Sequence, residues 1–173
     1  RKKRLLQLTA ALLCAVILSA CGGAPADADY TCTVSISCAT ILDNMDQCAE
    51  SKKELVPADG VILPPTEVAF AEGESAFDVL QRVCRDNGIH LESKFTPVYN
   101  SAYIQGIHNI YEFDVGKLSG WMYAVNDWFP NYGCSLYQVQ DGDVIRWVYT
   151  CDLGADVGGG QAAGDGQQEG AST

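Results

Sequence analysis

The strict alternation of residues 31–38 limits the fold of this chain more than any other feature. Cys32, Val34, Ile36 and Cys38 share one face of an extended segment, and Thr and Ser fill the other face. A strand of this kind must cover a core with its apolar face. The chain is therefore predicted to build a sheet around this strand.

One helix is predicted among several strands. Ser75 can cap a helix, and Asp78 stands three residues later, as in a capping box. The apolar stripe of this helix comprises Ala76, Phe77, Leu80, Val83 and Cys84, and Asn87-Gly88 ends it. Further strands are predicted at residues 66–71, 89–95, 103–107 and 120–125, with a loop at 57–65 and a last hairpin of 135–140 and 144–150. This order predicts an α+β fold, in which a mixed or antiparallel sheet carries one main helix on a face.

The N-terminus predicts an exported lipoprotein. Four basic residues precede an apolar run at 5–18, which is shorter than the roughly 20 residues that a bilayer span needs. Leu18, Ser19 and Ala20 then precede Cys21, which resembles the lipobox of bacterial lipoproteins. We expect residues 1–20 to be a signal peptide and Cys21 to be lipidated. Residues 21–29 would tether the domain to the outward face of the cell membrane; a soluble protein cut near Ala20 is the alternative.

Charge and composition indicate which partners the chain can bind and where the folded domain ends. The first 20 residues hold four of the 11 basic residues and none of the 22 acidic ones, which leaves a formal charge of −15 on residues 21–173. Nucleic acid should repel so acidic a chain, so no nucleic-acid partner is expected. Residues 30–157 are predicted as the folded domain, and residues 158–173 as a disordered Gly- and Gln-rich tail. The chain does not begin with Met, so we expect at least one residue upstream.

Six cysteines remain in the predicted domain, and an exported protein usually oxidises such thiols to disulfides. The candidates are Cys32, Cys38, Cys48, Cys84, Cys134 and Cys151. Six cysteines allow 15 connectivities, and the sequence does not choose among them. Cys134 with Cys151 is one predicted pair, because the two residues flank the last predicted hairpin.

Several motifs together resemble a known family. The segments GWMYAVN at 120–126 and LYQVQDGDVIRWVY at 136–149 are similar to the transcobalamin-like C-terminal domain, a family of unknown function found in bacterial surface proteins and lipoproteins. EGESAFDVL at 72–80 matches the helix entrance of that family, and YIQGI at 103–107 matches its middle. The resemblance implies a β-grasp-like fold that binds a soluble ligand, such as a corrinoid or similar small molecule.

The function predicted from this resemblance is that of a non-catalytic binding module. In vertebrate transcobalamin the similar domain closes over cobalamin beside a larger helical domain, for which this chain has no room. The alternative is a module that contacts a protein or glycan on the cell surface, and an enzyme is a further alternative. No catalytic residue, metal ligand or resident cofactor is predicted, because neither His90 nor His108 stands in a recognisable catalytic or metal-binding motif.

The aromatic stretch 121–132 is the best candidate for the ligand site. Trp121 and Tyr123 alternate with smaller residues and are expected in the core. Asn126 and Asp127 predict a turn, after which two large aromatic residues either fold back onto the sheet or form a binding surface. The predicted ligand-binding residues are Trp128, Phe129, Tyr132 and Asn126, together with Tyr103 from the matched middle segment.

Overall fold

The structure, a computed structural model, describes residues 23–159. The predicted signal peptide, Cys21 and residues 160–173 of the predicted tail lie outside these residues. The elements are β1 (Tyr30–Ser37), β2 (Val61–Phe70), α1 (Ala76–Asp86), β3 (Leu91–Thr96), β4 (Ser101–Ile107), β5 (Ile110–Tyr111), β6 (Gly120–Val125) and β7 (Val144–Thr150), with 3₁₀ helices at Ala39–Asn44, Glu50–Leu55 and Ala155–Val157. Within the described range, no helix has the length and apolar character needed to cross a membrane.

The core lies against a four-stranded mixed sheet of order β2-β1-β7-β6. The alternation of β1 is confirmed, since Cys32, Val34, Ile36 and Cys38 are all buried. β1 pairs antiparallel with β2 and parallel with β7, which places the apolar face of β1 at the centre of the sheet. Burial of these side chains stabilises the sheet by about 1.5–3 kcal/mol for each large aliphatic residue.

β2 begins earlier than the sequence predicts. The segment at 57–65 was expected to be a loop because of its prolines, yet β2 already begins at Val61 and includes Pro64 and Pro65. β2 is an edge strand, and the register shift between Val34 and Ile36 leaves both prolines out of the β1 pairing. Proline is tolerated at such a place because no ladder hydrogen bond is required of its nitrogen.

The predicted helix is confirmed with its cap. The Ser75 hydroxyl accepts from the Asp78 N–H, and the Asp78 carboxylate accepts from the Ser75 N–H at 2.9 Å. Such a cap contributes about 1 kcal/mol, because it satisfies donors that the first helical turn leaves unpaired. Val79, Leu80 and Val83 are buried in one cluster with the apolar face of the sheet. The fold is therefore α+β with one main helix packed on a mixed sheet.

The prediction that residues 135–140 and 144–150 form a last hairpin is wrong. β7 exists as predicted, but its antiparallel partner is β6, which pairs Gly120 with Thr150 and Val125 with Ile145. Residues 135–140 instead dock on the entrance of α1, where the Tyr137 carbonyl accepts from the Ala76 N–H at 2.9 Å. A second sheet of three antiparallel strands, ordered β3-β4-β5, was not expected as a separate sheet.

The cysteines also depart from the prediction. All six cysteines of residues 23–159 are free thiols, so the expected disulfides are not formed in this structure. The Cys134–Cys151 pair depended on a hairpin that does not exist: the Cys134 thiol lies 3.7 Å from the Ala102 carbonyl, whereas the Cys151 thiol lies 3.8 Å from the Thr40 hydroxyl. Burial raises the pKa of Cys38 and of Cys134 to about 12, which keeps both thiols protonated and unreactive at neutral pH.

Candidate functional site

An open cavity of about 300 Å³ lies where the start of β4 meets the loop that follows β6. Its walls come from the β3–β4 turn, from β4 and from residues 130–133. The lining residues are Thr96, Tyr99, Ser101, Ala102, Tyr103, Pro130, Asn131, Tyr132 and Gly133. This volume falls at the small end of the range for ligand pockets.

Three tyrosines give the cavity its chemical character. Tyr99 is 72% exposed, Tyr103 is 43% exposed and Tyr132 is 39% exposed, so all three rings are accessible from solvent. Trp128 extends the same surface beyond the cavity, since its ring meets the Tyr132 ring edge-on with centroids 6.0 Å apart. Aromatic rings held at the surface in this way can pack against the face of a ligand.

A tight turn positions this aromatic surface. Asn126 and Asp127 both adopt positive φ, 50° and 66°, and Val125 and Trp128 exchange two backbone hydrogen bonds of 2.8 and 2.9 Å. These features are those of a type I′ hairpin turn, which Asn and Asp tolerate better than most residues. The predicted turn at Asn126-Asp127 is therefore confirmed, and it directs Trp128 outward.

The loop that follows the turn is fixed to β4 and β6. The Tyr123 hydroxyl donates to the Tyr132 carbonyl at 2.9 Å, and the Ser135 hydroxyl accepts from the Ala102 N–H at 2.9 Å. The hydroxyls of Ser101 and Ser135 lie 2.9 Å apart. These contacts hold the Tyr132 backbone in place, so the cavity wall is preformed.

Gly133 permits this close approach. A Cβ at residue 133 would lie 1.7 Å from the Ser101 Oγ and 2.4 Å from its Cβ. We expect Gly133→Ala to push the loop off β4 and to lower the free energy of unfolding by about 1–3 kcal/mol, as overpacking usually does. Chemical denaturation measures this loss.

Gly120→Ala is the matched control for this substitution. A Cβ at residue 120 meets only the Glu112 Cβ at 3.7 Å, an ordinary contact. We expect it to change the free energy of unfolding by less than about 1 kcal/mol. Equal stability of the two variants would show that the contact between Gly133 and Ser101 does not hold the loop.

Tyr103 links the cavity to a carboxylate. Its hydroxyl donates to Glu112 Oε2, which lies outside the cavity lining. Burial, together with this hydrogen bond, raises the pKa of Tyr103 to about 12. The phenol therefore stays protonated at neutral pH and keeps the Glu112 charge close to the cavity.

The structure distributes the five predicted ligand residues over different environments. Tyr103 and Tyr132 line the cavity, and Trp128 is half-exposed beside it. Phe129 is only 5% exposed and therefore does not lie on the predicted surface. Asn126 has a structural role, because its amide donates to Asp143 at 2.8 Å and accepts from the Val144 N–H at 2.9 Å.

Trp121 and Tyr123 are in the core as predicted, 9% and 8% exposed. The Trp121 indole donates to the Ile110 carbonyl at 2.8 Å, and Tyr123 stacks on Trp147 with centroids 5.5 Å apart. The sequence reasoning missed Tyr99. A signal was available, because Tyr99 stands two residues after Pro97 and directly before Asn100, where a turn is expected, and a large aromatic residue in a turn is unusual unless it packs or binds.

Metal ligands do not gather in the described part of the chain. Residues 23–159 contain no group of three or more His, Cys, Asp or Glu side chains that could hold a metal ion. The Asp156 carboxylate accepts from the Cys151 N–H at 2.7 Å.

Comparison with known proteins gives a family match over part of the chain. Residues 73–151 match the model of the family described as "Domain of unknown function (DUF4430)". No curated protein matches the sequence of this chain. All the cavity residues fall inside the matched range.

Two solved structures show a weak similarity to this chain. One is haptocorrin in complex with Cbi, at 14% identity and a TM-score of 0.48; the match covers 71% of this chain and 26% of the haptocorrin chain. The other, described as a candidate metal-binding protein, is from Ruminococcus gnavus ATCC 29149, at 15% identity and a TM-score of 0.42, over 70% of this chain and 97% of that chain. This chain thus spans about a quarter of the length of haptocorrin.

Proposed function

We propose that this domain, whose residues 73–151 match the DUF4430 family model and whose motifs resemble the transcobalamin-like C-terminal domain, binds a small soluble ligand in the tyrosine-lined cavity. The observation that carries the proposal is the exposure of Tyr99, Tyr103 and Tyr132 around one preformed space. Rings of this size are costly to leave in water unless they meet a partner.

The chemistry of the lining supports binding without catalysis. Among the described residues that line the cavity, none is a carboxylate, histidine, lysine, arginine or cysteine. General acid–base and nucleophilic catalysis draw mainly on those side chains. Tyr103, Tyr132 and Asn131 supply hydrogen-bonding groups, which suit the orientation of a ligand better than its conversion.

Size narrows the class of ligand. A cavity of about 300 Å³ can enclose a small molecule or one substituent of a larger one. A corrinoid is much larger than this space, so a corrinoid would enter only with part of its periphery. The favoured ligand is therefore a small molecule that the cavity surrounds, and a corrinoid remains a candidate only for such partial contact.

We also infer a β-grasp-like arrangement for the four-stranded sheet. The order β2-β1-β7-β6 supports it, because a hairpin of β1 and β2 precedes α1 and the last strand lies parallel to β1 at the centre. The cavity lies beside this sheet, at the junction of β4 with the loop after β6. The sheet thus serves as a rigid support for the binding loop.

The binding test is native mass spectrometry of the exported protein, purified from its own cells without denaturation. We expect a bound small molecule that is lost in the double variant Tyr99→Ala/Tyr132→Ala. Leu136→Ala is the control, since Leu136 is exposed nearby but does not line the cavity. Capture of a surface protein or glycan with no small ligand would favour the alternative of an interaction module.

We propose that Cys21 anchors this module to the outward face of the cell membrane. The lipobox-like Leu18-Ser19-Ala20-Cys21 supports the proposal. We expect a labelled fatty acid to enter the wild-type protein and to be absent from Cys21→Ala, because the variant lacks the thiol that would carry the lipid. Equal labelling of both proteins would contradict lipidation at Cys21.

A further inference from the structure

We propose that the ligand of the tyrosine-lined cavity carries an organic ammonium cation, such as a quaternary ammonium group. This inference rests on the proposed function and gives the ligand its chemical class. The evidence is the set of rings around the cavity, the absence of cationic residues among the lining residues, and a carboxylate that accepts the hydrogen bond of one tyrosine hydroxyl.

The rings provide the binding surface for a cation. The face of an aromatic ring is negative, so an ammonium group close to several rings is attracted to all of them. Tyr99, Tyr103 and Tyr132 all line one cavity of about 300 Å³, which has room for a compact alkylammonium group. The protein already uses this interaction elsewhere: the Lys52 ammonium lies 4.6 Å from the centre of the Tyr111 ring.

The charges around the cavity favour a cation over an anion. No lysine, arginine or histidine is among the described lining residues. Lys94 lies opposite Tyr103 in the β3–β4 register and is not a lining residue. Glu112 accepts the hydrogen bond of the Tyr103 hydroxyl, which draws the hydroxyl proton toward the carboxylate and makes the ring richer in electrons.

The electrostatic field of the whole domain is negative and therefore also favours a cation. Residues 21–173 carry a formal charge of −15, so the domain attracts cations and repels anionic ligands. A neutral ligand would gain nothing from this field. The combination of an uncharged aromatic lining with an acidic surround is therefore complementary to an ammonium group with apolar substituents.

The test compares choline with its uncharged carbon analogue, 3,3-dimethyl-1-butanol, on the full chain by calorimetry. Both probes have the same shape, so the difference in affinity reports the charge. We expect choline to bind roughly 2- to 30-fold more tightly than the analogue, the range given by cation–π contacts at exposed to desolvated sites. Higher salt should weaken choline binding and leave the analogue unchanged.

Two variants separate the contributions to this preference. Tyr132→Leu keeps apolar bulk but removes a ring, so it should reduce the preference for choline while the analogue still binds, which also shows that the variant is folded. Glu112→Gln should weaken choline alone. Equal binding of both probes by the wild type would overturn the ammonium proposal and leave the binding function standing. Failure of both probes to bind would also overturn it, and the native mass spectrometry result would then decide the binding function separately.

Discussion

Replacing Phe129 with Ala is expected to lower the free energy of unfolding by about 3–5 kcal/mol, the usual cost of truncating a buried aromatic side chain. Phe129 is 5% exposed and packs with Met122 against the segment that follows β7. A Cβ on Gly159 would come within 3.1 Å of the Phe129 ring and 3.0 Å of the Met122 Cε. Chemical denaturation followed by circular dichroism measures the loss.

Trp128→Ala is the matched control, because Trp128 is the neighbouring residue and is 50% exposed. Its removal leaves no enclosed void, so we expect a change of less than about 1 kcal/mol in the free energy of unfolding. Its loss should affect binding through the edge contact with Tyr132. If Phe129→Ala were as stable as Trp128→Ala, Phe129 would not belong to the packed interior and would return to the candidate surface.

Local patterns predicted the parts of the fold that depend on local physics. The alternation of β1, the capping box of α1 and the turn at Asn126-Asp127 each use hydrogen bonds or side-chain directions set within a few residues. β6 was predicted with its observed bounds for the same reason. Such features need no knowledge of the distant partner to be recognised.

Long-range pairing could not be predicted in the same way. Residues 135–140 have the composition of a strand, but their N–H and C=O groups pair in part with the entrance of α1, which is distant in sequence. The extension of β2 through Pro64 and Pro65 depends on a register shift against β1. The spacing of apolar residues along the sequence does not indicate either arrangement, because each depends on which distant segment packs beside it.

The candidate site was predicted only in part, again because some of its residues come together through contacts between segments that are distant in sequence. Tyr132 and Trp128 were found because they stand in a dense aromatic stretch, whereas Tyr99 joins them only through the turn between β3 and β4. The sequence left open whether Phe129 was core or surface. The segment after β7 resolves it, since Gly159 passes over the Phe129 ring.

The second large effect on stability is expected from the buried ion pair between Arg82 and Glu74. Arg82 on α1 is 8% exposed and donates from Nη1 to Glu74 Oε1, and its Nη2 donates to the Ala69 carbonyl at 2.8 Å. Glu74 Oε2 accepts from the Ala71 N–H at 2.8 Å. The pair thus joins the helix to the end of β2 and to the turn that leads into the helix.

Glu74→Ala should therefore lower the free energy of unfolding by about 3–5 kcal/mol, because it leaves the Arg82 guanidinium buried without its counter-charge. Arg82→Met, which replaces the charge with an apolar chain, should cost less, and in the double variant the two losses should not add. Glu50→Ala is the control, since its partner Lys53 and Glu50 itself are at the surface, and little change is expected. Additive losses in the double variant would show that Glu74 acts through the Ala71 N–H alone, and that Arg82 obtains its compensation from the Ala69 carbonyl.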